Sequence, residues 1–226
     1  AGALDEAAMH LALDQQRVHD LPEVVGDGIT GDLDGAGLGV QLHLGHVAAV
    51  GEGGGAVVDP AFAGEYTKRG GLAVLNLEGV HGRYDDPASV LEEIVAASPE
   101  EVTGVLQRIY SAPIKDEYVG NVVQKMKTAG ATVTVSATPA NTKRLGPIAV
   151  EAGADFYVCQ STVTTANHIS KSPRGLRFDE LVPQIGVPVI VGNTVGYNAT
   201  LELMETGVAA VLVGVGPGSA CTSREV

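Results

Sequence analysis

The sequence predicts an α/β fold in which strands and helices alternate along the chain from residue 57 onward. Short runs rich in valine, isoleucine and alanine recur there, and the segments between them carry apolar residues at helical spacing. The composition agrees, because 45% hydrophobic residues is typical of a globular protein with a buried core. Repeated strand–helix units of this kind are typical of parallel sheets.

The first elements of this part are a strand and three helices. A glycine-bounded strand is predicted at 71–76. Asp86 and Pro87 form a helix cap followed by a first-turn proline, which begins the first helix. The run Ser-Pro-Glu-Glu at 98–101 is a capping box that predicts the start of the second helix. A third helix carries valines at helical spacing and is expected to end at Gly130.

Four further strands alternate with helices over the rest of the chain. The predicted strands span 132–137, 155–160, 188–192 and 209–213, and the predicted helices span 142–151, 178–184 and 199–205. Only about five strands are visible from residue 57 onward, whereas a closed barrel of parallel βα units needs about eight. The pattern leaves two architectures open: an open sheet, or a barrel without its beginning and its end.

Residues 1–56 differ in composition from the rest. They hold 12 of the 30 glycines and four of the six histidines, and they contain no Lys, Phe or Tyr. No run there combines alternation with β-branched residues, so no strand is predicted before Gly55. We therefore divide the chain into an atypical Gly/His-rich segment, 1–56, and a catalytic-type domain, 57–226. The first segment is either mistranslated or an authentic, disordered N-terminal extension.

Charge and apolar patterning disfavour several classes of partner. Fourteen basic residues against 27 acidic ones give a net charge of −13, which argues against nucleic acids and anionic membranes. No apolar run approaches the ~18–20 residues of a membrane span, and no signal peptide is visible. Cys159 and Cys221, far apart in sequence, suit reduced thiols. We therefore expect a cytoplasmic protein.

The strongest chemical signal lies at 211–224, Val-Leu-Val-Gly-Val-Gly-Pro-Gly-Ser-Ala-Cys-Thr-Ser-Arg. An apolar strand is followed by three glycines, Ser219 and Cys221. Glycines let the backbone approach a ligand, and a thiol at the end of a barrel strand stands where such folds carry catalytic groups. The alternative is that Cys221 is a small buried apolar residue. Because the chain stops five residues later, we expect it to be incomplete.

Residues 57–226 resemble the IMP dehydrogenase/GMP reductase family, in its short form without CBS regulatory modules. The resemblance is carried by GLAVLNLEG (71–79), IYSAPIK (109–115), VPVIVGNTV (187–195) and the 211–224 motif. It implies a (β/α)8 TIM barrel, incomplete here because its first strand is unclear and its last two strand–helix units are absent. It also implies a homotetrameric parent protein that oxidises a purine nucleotide monophosphate in GMP biosynthesis.

The resemblance implies a role for individual residues of this chain. Cys221 would attack C2 of IMP to give a thioimidate that is hydrolysed to XMP, and Ser223 stands where the family has a threonine that assists proton transfer. Ser219 would bind the 5′-phosphate, and Asn193 would lie beneath the nucleotide. The implied cofactors are NAD and potassium. NAD would contact Gln160, Gly214, Val215 and Gly216, and potassium would be held by main-chain carbonyls of Gly216, Gly218 and Cys221.

Two positions depart from the family pattern. Gln160 stands where most members have an aspartate that contacts the cofactor ribose, and Leu212 stands where many have Lys or Arg. Further family residues, including a mobile flap, correspond to sequence beyond Val226, so this chain is expected to be inactive alone. Three alternatives stay open: a GMP reductase using NADPH, a non-catalytic purine-nucleotide-binding paralogue, and a flavin-dependent phosphate-binding barrel in which Cys221 has no role.

Overall fold

A computed structural model of the chain describes residues 10–13, 40–43, 47–48, 58–166 and 176–214. The strands within these residues are β1 (His10–Leu13), β2 (Val40–His43), β3 (Val47–Ala48), β4 (Leu72–Asn76), β5 (Thr134–Ala137), β6 (Phe156–Gln160), β7 (Val189–Thr194) and β8 (Ala210–Val213). The α-helices are α1 (Pro60–Thr67), α2 (Pro87–Ala96), α3 (Val102–Ser111), α4 (Asp116–Thr128), α5 (Pro139–Glu151), α6 (Phe178–Ile185) and α7 (Tyr197–Glu205). One turn of 3-10 helix spans Val80–Gly82.

The chain forms two compact units, Ala48–Tyr157 and a second made of Ala1–Val47 with Val158–Val226. In the Ala48–Tyr157 unit, β4 and β5 pair in parallel, with Val74 opposite Thr134 and Asn76 opposite Ser136. The valines of α4 and Met126 are buried as their spacing predicted, because they form the face that the helix turns to the core. Gly64 of α1 is required by close packing: a Cβ there would lie 2.3 Å from the Ala129 carbonyl oxygen.

Helices α2 and α3 are joined to the same unit by an arginine that donates to main-chain carbonyls. No residue of α2 is fully buried, and an ion pair between Glu93 and Arg108 joins it to α3. The guanidinium of Arg83 donates to the carbonyl oxygens of Glu78 and Ala112. The α2–α3 pair is therefore held where it joins the unit, and α3 adds the fully buried Ile109 to the core whereas α2 adds no fully buried side chain.

In the second unit, β7 and β8 pair in parallel, with Ile190 opposite Ala210 and Val191 opposite Val211. β1 lies antiparallel to β8 on its other side and also pairs with β2. The apolar side chains of α6 are buried, and Gly186 ends that helix at a φ of 78°, which favours glycine. The apolar side of α6 is thus part of the core of this unit.

The predicted α/β class is confirmed, since five parallel strands alternate with helices as in an incomplete TIM barrel. Three differences are informative. Short strands occur before Gly55, where none was predicted, and α1 was missed although Asp59 and Pro60 repeat the cap signal seen at 86–87. β7 runs two residues past its predicted end and includes Asn193. Among the described residues, no helix combines the length and apolarity that crossing a bilayer requires.

Candidate active site

Three of the predicted site residues lie at the ends of consecutive strands in the second unit. Gln160 ends β6, Asn193 lies near the end of β7, and Gly214 follows β8. Parallel strands bring their carboxyl ends to one edge of a sheet, and α/β folds place their active sites there. The structure therefore brings Gln160, Asn193 and Gly214 together.

A β-bulge sets the position of Asn193. Gly192 is opposite Leu212 and Thr194 is opposite Val213, so Asn193 is an extra residue without a partner on β8. The loop after β6 takes over its main-chain bonds: its N–H donates to the Ser161 carbonyl at 2.9 Å, and its carbonyl accepts from the Thr164 N–H at 2.8 Å. The bulge thus turns the Asn193 side chain out of the regular alternation of the strand.

The bulge depends on a glycine and on a buried threonine next to it. A Cβ on Gly192 would lie 2.4 Å from the Cβ of Leu212, so only glycine fits beside this strand. Thr164 is 4% exposed, and its hydroxyl donates to the Gly192 carbonyl at 2.7 Å. Leu212 itself is 5% exposed. Leu212 therefore belongs to the packed interior of this unit.

Two side-chain hydrogen bonds connect the three strand ends. Gln160 Nε2 donates to Asn193 Oδ1 at 2.8 Å, and Asn193 Nδ2 donates to the Gly214 carbonyl oxygen, also at 2.8 Å. The Gly214 N–H donates to the Thr194 carbonyl at 2.7 Å. We call Gln160, Asn193 and Gly214 the amide relay. Asn193 keeps one N–H and one lone pair beyond these bonds, which a nucleotide can use.

Gly214 offers a place for close approach of a ligand. Its φ is 119°, a conformation that residues with side chains rarely adopt, and no atom of the described residues lies within 4 Å of where a Cβ would be. Among the described residues, this strand edge therefore leaves room for a ligand beside Gly214. No cluster of three or more His, Cys, Asp or Glu side chains that could hold a metal ion occurs among the described residues.

The remaining predicted site residues, Val215, Gly216, Gly218, Ser219, Cys221 and Ser223, lie outside the described residues. The potassium site predicted at Gly216, Gly218 and Cys221 falls in the same stretch. The second cysteine, Cys159, lies within β6 with 0% exposure. Its predicted place in the core is confirmed.

Sequence reasoning missed a polar cluster in the Ala48–Tyr157 unit, at the carboxyl ends of β4 and β5. Glu78 Oε1 accepts from the Thr138 N–H at 3.0 Å, from the Thr138 hydroxyl at 2.7 Å and from Asn141 Nδ2 at 2.8 Å. Asn76 Oδ1 accepts from the Glu78 N–H at 2.8 Å. A carboxylate directly after a buried strand, in the LNLEG part of the 71–79 motif, was the available signal. The Ser161 and Thr164 contacts were also missed, because they depend on the register of the bulge.

A second polar feature of this unit is the cavity beside the 3-10 turn. His81 lines it together with Tyr84, Asp85, Tyr118 and Lys125. Burial lowers the pKa of His81 below its ordinary value; Asp59 opposes this shift and Lys125 adds to it. The histidine is therefore favoured in its neutral form.

Comparison with known proteins gives consistent matches. The family model described as "IMP dehydrogenase / GMP reductase domain" matches residues 54–226. Uncharacterized oxidoreductases of Mycobacterium tuberculosis and Mycobacterium leprae are 34% and 35% identical over 175 and 177 residues, covering 75% and 76% of this chain and 47% of each relative. An inosine-5′-monophosphate dehydrogenase of Cryptosporidium parvum is 40% identical over 77 residues, 34% of this chain and 18% of that protein.

A solved structure gives the same result for the fold. The crystal structure of an IMP dehydrogenase/GMP reductase-like protein from Corynebacterium glutamicum matches with a TM-score of 0.70 and 28% identity, covering 91% of this chain and 53% of that chain. The chain thus spans about half the length of the mycobacterial oxidoreductases and of this structure.

Proposed function

The chain belongs to the IMP dehydrogenase/GMP reductase family, and on this basis we propose that its parent protein is an oxidoreductase that converts IMP to XMP with NAD+. The observation that carries the proposal is the amide relay at the carboxyl ends of β6, β7 and β8. Directly after the relay, the sequence continues into the glycine-rich motif with Ser219 and Cys221. A polar strand edge followed by a thiol matches the chemistry that this reaction requires.

The chemistry is a covalent oxidation at C2 of the purine. The Cys221 thiolate attacks C2, and the C2–H bond breaks as a hydride leaves with its electron pair. The resulting thioimidate takes up water, the C–S bond breaks, and XMP is released with a proton. In sum, IMP, NAD+ and water give XMP, NADH and H+.

The residues of this chain bind, orient and move protons in that reaction. Ser219 holds the 5′-phosphate, and Asn193 supports the nucleotide through the N–H and lone pair that the relay leaves available. Ser223 assists proton transfer near the hydrolytic water. A free thiol has a pKa of about 8.5, so Cys221 needs surroundings that favour its thiolate. In the TIM barrel that the resemblance implies, the N-terminus of a helix following the strand would supply them.

The proposed cofactor is NAD, which supplies the hydride acceptor when it is bound. The resemblance assigns its contacts to Gln160, Gly214, Val215 and Gly216, and the space beside Gly214, free of described atoms within 4 Å of a Cβ position, supports the assignment for Gly214. Potassium would organise the loop through carbonyls of Gly216, Gly218 and Cys221. A homotetrameric assembly and a cytoplasmic location complete the proposal.

The full-length natural protein tests this proposal directly. Mixed with IMP and NAD+, it is expected to produce NADH, measured by absorbance. Cys221→Ala should abolish NADH production, because the nucleophile is lost. Cys159→Ala is the matched control and should retain it, because this thiol lies in the core.

Other outcomes identify the alternatives. NADPH consumption with GMP, and no NADH with IMP, would identify a GMP reductase. Tight binding of IMP without turnover in either assay would identify a non-catalytic purine-binding paralogue, which the departures at Gln160 and Leu212 favour. Full turnover by Cys221→Ala would contradict both enzymes and leave the flavin-dependent barrel.

A further inference from the structure

The hydrogen bonds of the amide relay all run in one direction, because each atom in it can only donate or only accept. An amide nitrogen only donates and an amide oxygen only accepts. Because Gln160 donates to Asn193 Oδ1 at 2.8 Å, the Asn193 nitrogen is turned toward Gly214, whose carbonyl oxygen it reaches at 2.8 Å. The identity of residue 160 therefore decides which end of the Asn193 carboxamide faces β8.

Gly214 is held from β7 at both of its polar groups. Its N–H donates to the Thr194 carbonyl at 2.7 Å, and its carbonyl accepts from the Asn193 side chain. A glycine at a φ of 119° has no side chain of its own to fix its conformation. These two bonds define the main chain at the point where the glycine-rich motif of the sequence begins.

We propose that Gln160 is a positioning residue, which orients Asn193 and through it fixes the main chain at Gly214. The role differs from the cofactor contact that the resemblance implied for this position. A carboxylate at 160 accepts hydrogen bonds and cannot donate one, so it would attract the Asn193 nitrogen. Asn193 Oδ1 would then face the Gly214 carbonyl, two acceptors would oppose each other, and the link would be lost.

The test replaces the donor without changing the size of the side chain. Gln160→Glu is compared with Gln124→Glu, a matched control in which an exposed glutamine also donates to a carbonyl, that of Ala152. The first readout is the rate at which iodoacetamide alkylates Cys221 in the full-length protein, followed by peptide mass spectrometry. Cys159, with 0% exposure, is the internal reference for an intact fold.

Gln160→Glu is expected to change the Cys221 alkylation rate about fivefold or more, the effect of one lost hydrogen bond on its surroundings. Gln124→Glu should leave it unchanged. Where Gln160→Glu exposes Cys159 to alkylation and so fails to fold, Gln160→Met replaces it, since Met removes the donor without adding a charge. A folded variant with an unchanged Cys221 rate would overturn the proposal.

The second readout rests on the proposed function and separates positioning from cofactor contact. In a turnover assay, a positioning role predicts a kcat about five- to tenfold lower with the KM for NAD+ within about twofold. A raised KM for NAD+ with unchanged kcat and unchanged alkylation would instead make Gln160 a cofactor contact. If the wild type turns over neither IMP nor GMP, the proposed function fails, while the alkylation result still decides the role of Gln160.

Discussion

Two glycines beside β7 and β8 are required for different physical reasons. Gly192 is fixed by space, because any side chain there would collide with Leu212. Gly214 is fixed by its backbone, since its φ of 119° is costly for residues with a Cβ, although no described atom lies near the position of a Cβ. The same residue type therefore supports the bulge at one position and the turn out of the strand at the other.

The crowding at Gly192 can be measured as a loss of stability. We expect Gly192→Ala to lower the free energy of unfolding by about 2 kcal/mol, because the added methyl group must displace Leu212 or the strand. Gly104→Ala, in α3, is the control and should raise it by about 0.5–1 kcal/mol, since nothing lies within 4 Å of its Cβ and alanine favours helices. Urea unfolding of both variants checks the prediction. Equal stability of the two would contradict the packing at β7 and β8.

The lowered pKa of His81 predicts that the free energy of unfolding depends on pH. Its pKa is lowered in the folded protein by burial, whereas the unfolded chain takes up the proton near the ordinary value of 6.5. Below that pH the unfolded state binds more protons than the folded state, so the stability contributed by neutral His81 is lost as pH falls from about 6.5 through the lowered folded pKa. Urea midpoints at about pH 7.5 and pH 5.5 should therefore differ more for the wild type than for His81→Gln. An identical pH response in the two proteins would show that His81 titrates alike in both states.

At the scale of elements, single side chains connect the end of one element to the start of another. Glu78 follows β4 and accepts three hydrogen bonds from the beginning of α5, which has no cap from its own Thr138 side chain. Its negative charge also lies at a helix N-terminus, where the helix dipole favours it. Glu78 therefore holds Thr138, the residue before α5, and places a carboxylate at the start of that helix from another element.

Removing the Glu78 side chain should lower the free energy of unfolding more than neutralising its charge does. Glu78→Ala is expected to lower the free energy of unfolding by about 2 kcal/mol, because the start of α5 loses its acceptor. Glu78→Gln keeps an acceptor and loses the charge, so its loss should be about 0.5–1 kcal/mol. Glu65→Ala, which removes an exposed ion-paired carboxylate, is the control and should be indistinguishable from the wild type. The ranking is measured by thermal or urea unfolding, and a larger loss at Glu65 than at Glu78 would contradict it.

Elements with local signals were predictable, and those set by distant contacts were not. Asp86 caps α2, and Gly130 follows α4 at a φ of 78°, both as the sequence indicated. At 98–101 the expected capping box does not form: α3 begins after Glu101, and the Ser98 hydroxyl donates to the Glu101 carboxylate. The serine and glutamate thus satisfy each other and leave the first N–H groups of the helix without a side-chain cap.

The candidate site likewise has features that the sequence indicated and features that only tertiary contacts determine. The role of Asn193 was implied by the resemblance carried by the 187–195 motif, and its place near a strand end is visible in the sequence. Its bulge, its contact with Thr164 and the direction of the Gln160 amide depend on how β7 meets β8 and the loop after β6. Such register relations are tertiary, so no local pattern reveals them.

At the scale of the whole molecule, the sequence carries a net charge of −13. A surplus of acidic residues repels phosphate backbones at long range and favours small ligands held by specific donors. The expectation that nucleic acid is not a partner belongs to this scale, because it depends on the summed charge and on no single site. The compositional division at residue 56 also stays a prediction.

The expectation drawn from the net charge can be tested by measuring DNA binding. We expect no binding of fluorescently labelled duplex DNA by fluorescence anisotropy at about 50 mM salt, where basic proteins bind without sequence preference. A basic protein of similar size serves as the positive control. Anisotropy that rises with this protein and falls as salt is added would contradict the expectation.

The way in which α2 and α3 join their unit also indicates where this fold can accept an inserted segment. Arg83 donates to the carbonyl of Ala112, so the two points where the chain leaves and rejoins the remainder of its unit are close in space. Between them, α2 contributes no fully buried residue. A domain inserted into the α2 part of this stretch would displace no fully buried side chain, whereas a shorter bridge replacing the whole stretch would remove Ile109 of α3 from the core. Helix α2 is therefore the place where a new segment can be inserted with little change to the core of its unit.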